Sequence, residues 1–192
     1  ARSLLIETTS SLILIDAGLG DKQDEKFFSH YHKWGEYSID DSIKKAGFRS
    51  GDVTDVFFTH LHFDHCGGAI SKNNNQYELV FKNATHLTNK PHWLLANNPN
   101  KREKASFLKE NFLLIEEKQK IKFIKEGVLY NNIEIRFFHG HTTSQMIPII
   151  NFENKKIVFM ADLLPSIGHI PLPYVMGYDT QPLITLKEKK QF

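Results

Sequence analysis

The most informative segment of the sequence is Thr59-His60-Leu61-His62-Phe63-Asp64-His65-Cys66-Gly67-Gly68. It follows residues 52–59, a short run rich in apolar, β-branched and aromatic side chains that is typical of a buried strand. Because side chains alternate along extended backbone, we expect His60, His62 and Asp64 to project to one side. The two apolar residues between them then pack on the opposite side.

A turn at Cys66-Gly67-Gly68 is expected to bring His65 into the same space. The two glycines lack a Cβ atom, which permits a close approach of backbone. A single histidine, or a pair spaced by two, often occurs by chance. Four imidazole or carboxylate groups within six residues, at the end of a buried strand, instead favour a metal site.

Two later strands are also predicted to end in side chains that bind metals. Residues 133–138 lead into His139-Gly140-His141-Thr142, and strand parity does not distinguish His139 from His141. Residues 157–161 form a continuous apolar run that ends in Asp162. A carboxylate at the end of such a strand is costly to bury unless it is paired or bound to a metal.

The other elements follow from local patterns. Residues 4–8 and 12–16 predict a hairpin, and Asp16 is expected to cap the turn rather than bind a metal. Helices are predicted at 24–31, at 39–46 with a stop at Gly47, from Pro91, at 101–112 and from Pro182. Strands are predicted at 77–81, 84–87, 121–124, 146–152 and 156–160, and a polar loop at 71–75. We expect surface positions for His30, His32, Lys187, Lys189 and Lys190, and core positions for His92, Trp93, Phe107, Leu108, Phe112 and Leu113.

Composition excludes several function classes. The 192 residues fit one domain, and a net charge of +2 without a long basic block argues against a nucleic-acid partner. No apolar run reaches the length of a membrane span. The single cysteine, Cys66, excludes an internal disulfide, and the first residues lack a signal-peptide pattern. We therefore expect a cytoplasmic protein, unless a signal peptide precedes this sequence.

These motifs, in this order, resemble the metallo-β-lactamase fold superfamily over nearly the whole chain. The matching features are Asp16-Ala17-Gly18, the stretch from Thr59 to Gly68, Gly140-His141-Thr142 and Ala161-Asp162. Residues 162–179 look like the branch that contains methyl parathion hydrolase-like and lactonase-like enzymes. The resemblance implies a single α+β domain over residues 1–192, a four-layer αββα sandwich with a two-metal site.

The resemblance also assigns ligands. It implies that His60, His62 and His141 hold the first metal, that Asp64 and His65 hold the second, and that Asp162 bridges them. His139 then has a structural role. The ligands suit zinc, and the carboxylates also admit manganese or iron.

The chemistry expected of this site is hydrolysis by a bridging hydroxide. Two divalent cations lower the pKa of a shared water to about 7 and polarise a carbonyl or phosphoryl oxygen. We therefore expect cleavage of an ester, lactone or phosphotriester bond in a small molecule. The resemblance suggests Asp64 as a catalytic residue that orients the hydroxide or carries a proton.

The sequence departs from the family pattern in two places. No histidine after His169 supplies the last expected ligand, and a first strand is also missing, so we expect a domain truncated at both ends with a weak second metal site. Thr143-Ser144-Gln145 replaces the Pro-Gly that follows Gly-His-Thr in many relatives. A loop beside Asp162, with His169, Tyr174 and Tyr178, is expected to form a pocket wall, and its apolar residues leave a homodimer contact open.

Two other functions compete with the hydrolase. One is a mononuclear iron redox enzyme of the same fold, similar to a persulfide dioxygenase, which metal identity and an oxygen requirement would distinguish. The other is a catalytically incompetent fragment, which absence of activity and of metal would support.

Overall fold

The computed structural model describes residues 2–32, 35, 38–130 and 132–192. Eleven strands are described: β1 Leu4–Glu7, β2 Leu12–Ile15, β3 Asp55–Phe57, β4 Ile70–Asn73, β5 Gln76–Leu79, β6 Thr85–Thr88, β7 Ile121–Phe123, β8 Gly127–Leu129, β9 Ile133–Phe138, β10 Gln145–Phe152 and β11 Lys155–Val158. The described α-helices are α1 Glu25–Ser29, α2 Ile39–Lys45, α3 Phe63–Cys66, α4 Lys90–Asn97, α5 Leu113–Glu117 and α6 Pro182–Lys189. Short 3-10 helices cover Ser50–Asp52, Gly67–Ala69, Lys104–Ser106, Lys109–Asn111 and Ile167–His169. None of these described helices is both long enough and apolar enough to span a membrane.

The chain forms two compact units, the first from residues 1–87 and 106–122 and the second from 88–105 and 123–192. The first unit is built on a five-stranded sheet in the order β1-β2-β3-β6-β7. The hairpin β1–β2 is antiparallel, whereas β2, β3 and β6 run parallel to one another. All four residues of β2 are buried, as expected for a strand covered on both faces.

The parallel strands place the ligand-rich stretch at one edge of the first sheet. Parallel strands share the edge at which their carboxyl ends lie, and β2 ends just before Asp16 while β3 ends just before Phe58-Thr59-His60. The Asp16 amide donates to the Phe57 carbonyl at 2.9 Å, which joins the two strand ends. Residues 16 and 60 are thus brought together by strand pairing.

Two glycines allow the loop after β2 to lie against the ligand-rich stretch. A Cβ atom added at Gly67 would lie 2.1 Å from the Leu19 carbonyl oxygen, and one added at Gly68 would lie 2.1 Å from the Ala17 carbonyl oxygen. Both contacts are with backbone, which cannot move aside easily. The predicted close approach at these glycines is confirmed.

The second unit contains an antiparallel sheet in the order β11-β10-β9-β8. Its core includes Phe138, Ile147 and Leu163, with Val158, Met160 and Ala161 packed partly buried against them. Helix α4 begins at the Asn89 N-cap with a proline in its first turn, as predicted from Pro91. His92 and Trp93 on this helix are buried, as expected.

Several element predictions are wrong. The loop predicted at 71–75 contains β4, whose polar residues are tolerated because the β4–β5 hairpin is largely exposed and turns at Asn74-Asn75 with positive φ. The predicted helix at 101–112 is replaced by two 3-10 turns, because the extended backbone at Leu108 lets Phe107 and Phe112 both be buried. Strand β11 ends at Val158 and is largely exposed, so Asp162 lies in a turn beyond a short edge strand instead of ending a buried one.

The backbone of the ligand-rich stretch also differs from the prediction. Strand β3 is only three residues long, and the chain turns at Phe63, earlier than expected, to form α3. His62 is the N-cap residue of this helix, with extended φ and ψ, and Asp64 and His65 lie within the helical turn. The convergence of these side chains therefore depends on a helical turn and only partly on strand alternation.

Candidate functional site

Three imidazole rings pack against one another in the first unit. The ring centroid of His60 lies 4.5 Å from that of His62 and 4.0 Å from that of His65. All three residues are buried, and Phe107 covers His62 with a ring separation of 4.8 Å. The structure thus brings together the three histidines of the first unit that the sequence selected as metal ligands.

Asp16 and Thr59 fix the orientation of two of these rings. The Thr59 hydroxyl donates to Asp16 Oδ2 at 2.8 Å, and its oxygen, Oγ1, is therefore left to accept from His60 Nδ1 at 3.0 Å. Asp16 Oδ2 also accepts from His65 Nδ1 at 2.7 Å. Since Nδ1 of both rings is engaged, Nε2 is the nitrogen that each histidine can offer to a metal.

Asp16 does not cap a turn in the way the sequence suggested. It is fully buried, its Oδ1 accepts from the Thr59 amide at 2.8 Å, and its Oδ2 accepts from a threonine and a histidine. Burial raises the pKa of the Asp16 carboxyl, while the contacts with His65 and Thr59 oppose the rise. The expectation that Asp16 is not itself a ligand fits this geometry, because its oxygens are directed at histidine Nδ1 and threonine.

Asp64 lies beside the nitrogen that His65 offers. Its Oδ2 is 3.4 Å from His65 Nε2, and its side chain is 36% exposed. The carboxylate therefore reaches the imidazole cluster while part of it contacts solvent. This position suits both a metal ligand and a group that exchanges protons with water.

In the second unit, His141 lies between two carboxylates. His141 Nε2 is 3.3 Å from Asp162 Oδ2, and His141 Nδ1 is 3.1 Å from Asp179 Oδ1. His141 and Asp179 are buried, whereas the Asp162 side chain is 20% exposed. A carboxylate on Nδ1 fixes the tautomer that presents Nε2, so Asp179 orients His141 toward the side on which Asp162 lies.

His139 has a different environment, although it lies only two residues from His141. Its Nδ1 accepts a hydrogen bond from the Ser144 amide at 3.1 Å, within its own loop. An imidazole that accepts at Nδ1 carries its proton on Nε2 when neutral. This geometry supports a structural role for His139.

Gln145 positions the turn that carries Asp162. With its amide oxygen turned toward that segment, Gln145 accepts from the backbone N–H groups of Asp162 at 3.2 Å and Leu163 at 3.1 Å. Gln145 is buried at the first position of β10. Gln145 thus fixes the backbone of a predicted metal ligand.

Two of the predicted pocket-wall residues are largely exposed. Tyr174 and Tyr178 are 60% and 83% exposed. His169 lies in a 3-10 turn, where its Nδ1 pairs with the Ser166 hydroxyl at 2.9 Å. A substrate contact at these residues stays a prediction.

Sequence reasoning missed two residues and misread a third. The sequence marks Thr59 only as part of the motif, gives no separate role to Asp179 and predicts a turn cap at Asp16. The position of Asp16 at a strand end was a usable signal, since it lies at the same sheet edge as His60. Asp179 is 38 positions from His141, and no local pattern links the two.

The sequence matches the family described as the metallo-beta-lactamase superfamily over residues 1–191. The chain therefore belongs to this superfamily and has the metallo-β-lactamase fold, with its mixture of sheets and helices. Probable metallo-hydrolases from Mycobacterium bovis and Mycobacterium tuberculosis are each 33% identical over 73 residues. The match covers 34% of this chain and 24% of either relative, so it spans about a quarter of their length.

Two solved structures are similar over nearly all of the chain. A probable metal-dependent hydrolase from Staphylococcus aureus superposes with a TM-score of 0.90 at 26% identity, covering 99% of this chain and 68% of that one. AidC, described as a dizinc quorum-quenching lactonase in complex with a product, superposes with a TM-score of 0.78 at 27% identity. That alignment covers 99% of this chain and 66% of AidC.

Proposed function

We propose that this protein is a metal-dependent hydrolase that cleaves an ester-type bond with a dinuclear, zinc-binding centre. The observation that carries the proposal is the packed cluster of His60, His62 and His65. These three buried imidazoles pack against one another, and the hydrogen bonds that fix Nδ1 of His60 and His65 leave Nε2 of each ring to bind a metal.

The proposed ligands are those that the family resemblance assigns. His60, His62 and His141 would hold one ion, Asp64 and His65 the other, and Asp162 both. Imidazole and carboxylate donors of this kind are what zinc prefers, and manganese or iron would also fit. Family membership over residues 1–191 supports this division, and so do the two carboxylates that fix the Nδ1 atoms of His65 and His141.

The bound ions would lower the pKa of a water to about 7 and polarise the oxygen of the bond to be cleaved. The protein side chains supply orientation and proton handling. Asp16 and Asp179 hold the ligand imidazoles in one tautomer. Asp64, which is in contact with solvent, would accept a proton at Oδ2 and pass it to the leaving group or to water.

The substrate in this proposal is a small molecule with an apolar portion. Phe63 in α3 packs against Phe27 and Tyr31, with ring centroids 5.3 Å and 4.9 Å away. Tyr31 is 45% exposed, so this aromatic cluster is open to solvent. Phe63, which belongs to the cluster, directly precedes Asp64 in α3. The cluster would contact an acyl chain or aromatic group, and lactones are the first class to test because AidC is a lactonase.

The test is hydrolysis by protein stripped with a chelator and then reloaded with zinc. The substrates are an N-acyl homoserine lactone, an aryl ester and an aryl phosphotriester. We expect at least one to be cleaved by the reloaded protein, with activity lost on chelation and in His60→Ala. Zinc-loaded protein that cleaves none of the three, or activity that survives both chelation and His60→Ala, would contradict the proposal.

A further inference from the structure

Helix α6 packs closely on the loop that carries His141. A Cβ atom added at Gly140 would lie 2.2 Å from Thr185 Oγ1 and 2.4 Å from the Thr185 backbone nitrogen. The Gln181 amide donates to the Gly140 carbonyl at 2.8 Å, and the Gln181 side chain donates to the His139 carbonyl at 3.1 Å. Only glycine allows the helix this close to residue 140.

Glu188, near the end of α6, binds the same loop with a buried carboxylate. Its Oε1 accepts from the His139 amide at 2.7 Å, and its Oε2 accepts from the Gly140 amide at 2.9 Å. Its exposed fraction is 7%. Burial of a charge is unfavourable without compensation, and here two backbone donors supply it.

The next residue, Lys189, is also buried, but it donates hydrogen bonds where Glu188 accepts them. The prediction that Lys189 lies on a solvated face is therefore wrong. Its ammonium donates to the carbonyl groups of Pro171 at 2.9 Å, Tyr174 at 2.8 Å and Leu172 at 3.3 Å. Lys187 and Lys190 are exposed, so the difference is specific to this position. The three carbonyls belong to the loop that follows Asp162.

We propose that Glu188 and Lys189 form a two-sided clamp in which each residue positions a different segment. Glu188 is a positioning residue for the His139–His141 loop and hence for metal affinity. Lys189 is a positioning residue for the 171–174 segment. The metal-affinity part rests on the proposed metal centre, whereas the effects on the two loops do not depend on it.

An ordinary packing role for α6 would give a different result. In that case, both variants would lower the stability of the protein together, and neither would change one loop selectively. The clamp instead requires a separation of effects, with Glu188→Gln acting on residues 139–141 and Lys189→Met acting on residues 171–174.

The experiment compares Glu188→Gln and Lys189→Met with Lys190→Gln, an exposed control on the same helix. Hydrogen exchange of metal-free protein measures the exchange rates of the His139 and Gly140 amides. Limited chymotrypsin digestion measures the rate of cleavage at Tyr174 and Tyr178. Competition with a chromophoric chelator measures the zinc affinity. In Glu188→Gln we expect amide exchange to rise by roughly tenfold or more, since hydrogen bonds to a charged acceptor are lost. We expect its zinc affinity to fall by roughly tenfold, as is usual when support for a ligand is removed.

Lys189→Met is expected to be cleaved faster at Tyr174 and Tyr178, with exchange at residues 139 and 140 unchanged. Equal effects of both variants on both loops, or no effect of either, would overturn the clamp. If Glu188→Gln does not fold, Gln181→Ala removes a single exposed contact to the His139 carbonyl, and it should raise exchange in the same loop without affecting digestion. A wild-type protein that binds no zinc would refute the proposed function, while exchange and digestion would still decide the clamp.

Discussion

His65 Nδ1 lies 2.7 Å from Asp16 Oδ2, although the two residues are 49 positions apart in the sequence. The same carboxylate oxygen accepts from the Thr59 hydroxyl, which in turn accepts from His60. A single buried carboxylate thus orients two of the proposed metal ligands. His141 and Asp179 have the same relationship in the second unit, with 3.1 Å between the atoms.

Asp16→Asn is expected to weaken zinc binding by roughly 10- to 100-fold, as is typical when the hydrogen-bond partner of a ligand histidine is lost. The substitution keeps the size of the side chain, but it replaces one carboxylate oxygen with an NH2 group. That group cannot accept the hydrogen bonds that Asp16 now accepts from Thr59 and His65. Competition with a zinc chelator measures the affinity, and Asp21→Asn, at an exposed position, is the control. Equal affinity of the two variants would show that Asp16 does not support the ligands.

Asp179→Asn tests the corresponding contact at His141. Asp179 is buried and 38 positions from its partner, and we expect a loss of zinc affinity by roughly 10- to 100-fold. The stability of the metal-free protein should be measured in parallel by chemical denaturation. The prediction fails if affinity is retained, or if the whole loss is accounted for by unfolding.

Gly68→Ala is expected to lower the free energy of unfolding by about 1–3 kcal/mol or more, because overpacking against backbone forces the chain to shift. The added methyl group would lie 2.1 Å from the Ala17 carbonyl oxygen. Gly51→Ala is the matched control, since its nearest contact is 3.7 Å away, at an Asn83 side chain. Similar stabilities of the two variants in denaturant titrations would contradict the close approach.

His86 predicts an acid dependence of stability. Burial lowers the pKa of His86 from 6.5 to about 4. Between these values the unfolded chain binds the proton and the folded chain does not, so the free energy of unfolding falls as pH falls from 6.5 to about 4. The full effect of such a shift is at most about 3 kcal/mol.

His86→Phe should reduce this dependence, since phenylalanine keeps the stacking on Phe58, whose ring lies 5.9 Å away. Urea titrations of metal-free protein across this pH range measure it. His30→Gln, at an exposed position, should keep the wild-type slope. Equal slopes for His86→Phe and wild type would disprove the role of His86.

Much of the candidate site could be predicted because it depends on local patterns. Strand β3 and the histidines after it lie within a few residues, and so do β9 and His141. Gly67 and Gly68 marked a close approach that the structure confirms. Family membership, which the motif order suggested, is shown by the match over residues 1–191.

The parts that sequence reasoning missed depend on contacts between distant residues. Whether Lys189 is solvated or buried is decided by three carbonyl groups that lie 15 to 18 positions earlier in the chain. Phe107 and Phe112 are buried as expected, but extended backbone at Leu108 interrupts the helix predicted at 101–112. The sequence therefore predicted apolar burial at these positions better than the backbone between them.

The proposed dinuclear centre is tested most directly by the metal content per chain, measured by elemental analysis of protein purified without a chelator. We predict two zinc ions per chain, with a clear loss in His60→Ala and no loss in the exposed variant His30→Gln. A single ion would contradict the dinuclear centre. No metal in the wild-type protein, or equal metal in His60→Ala, would contradict the assignment of the imidazole cluster as a metal site.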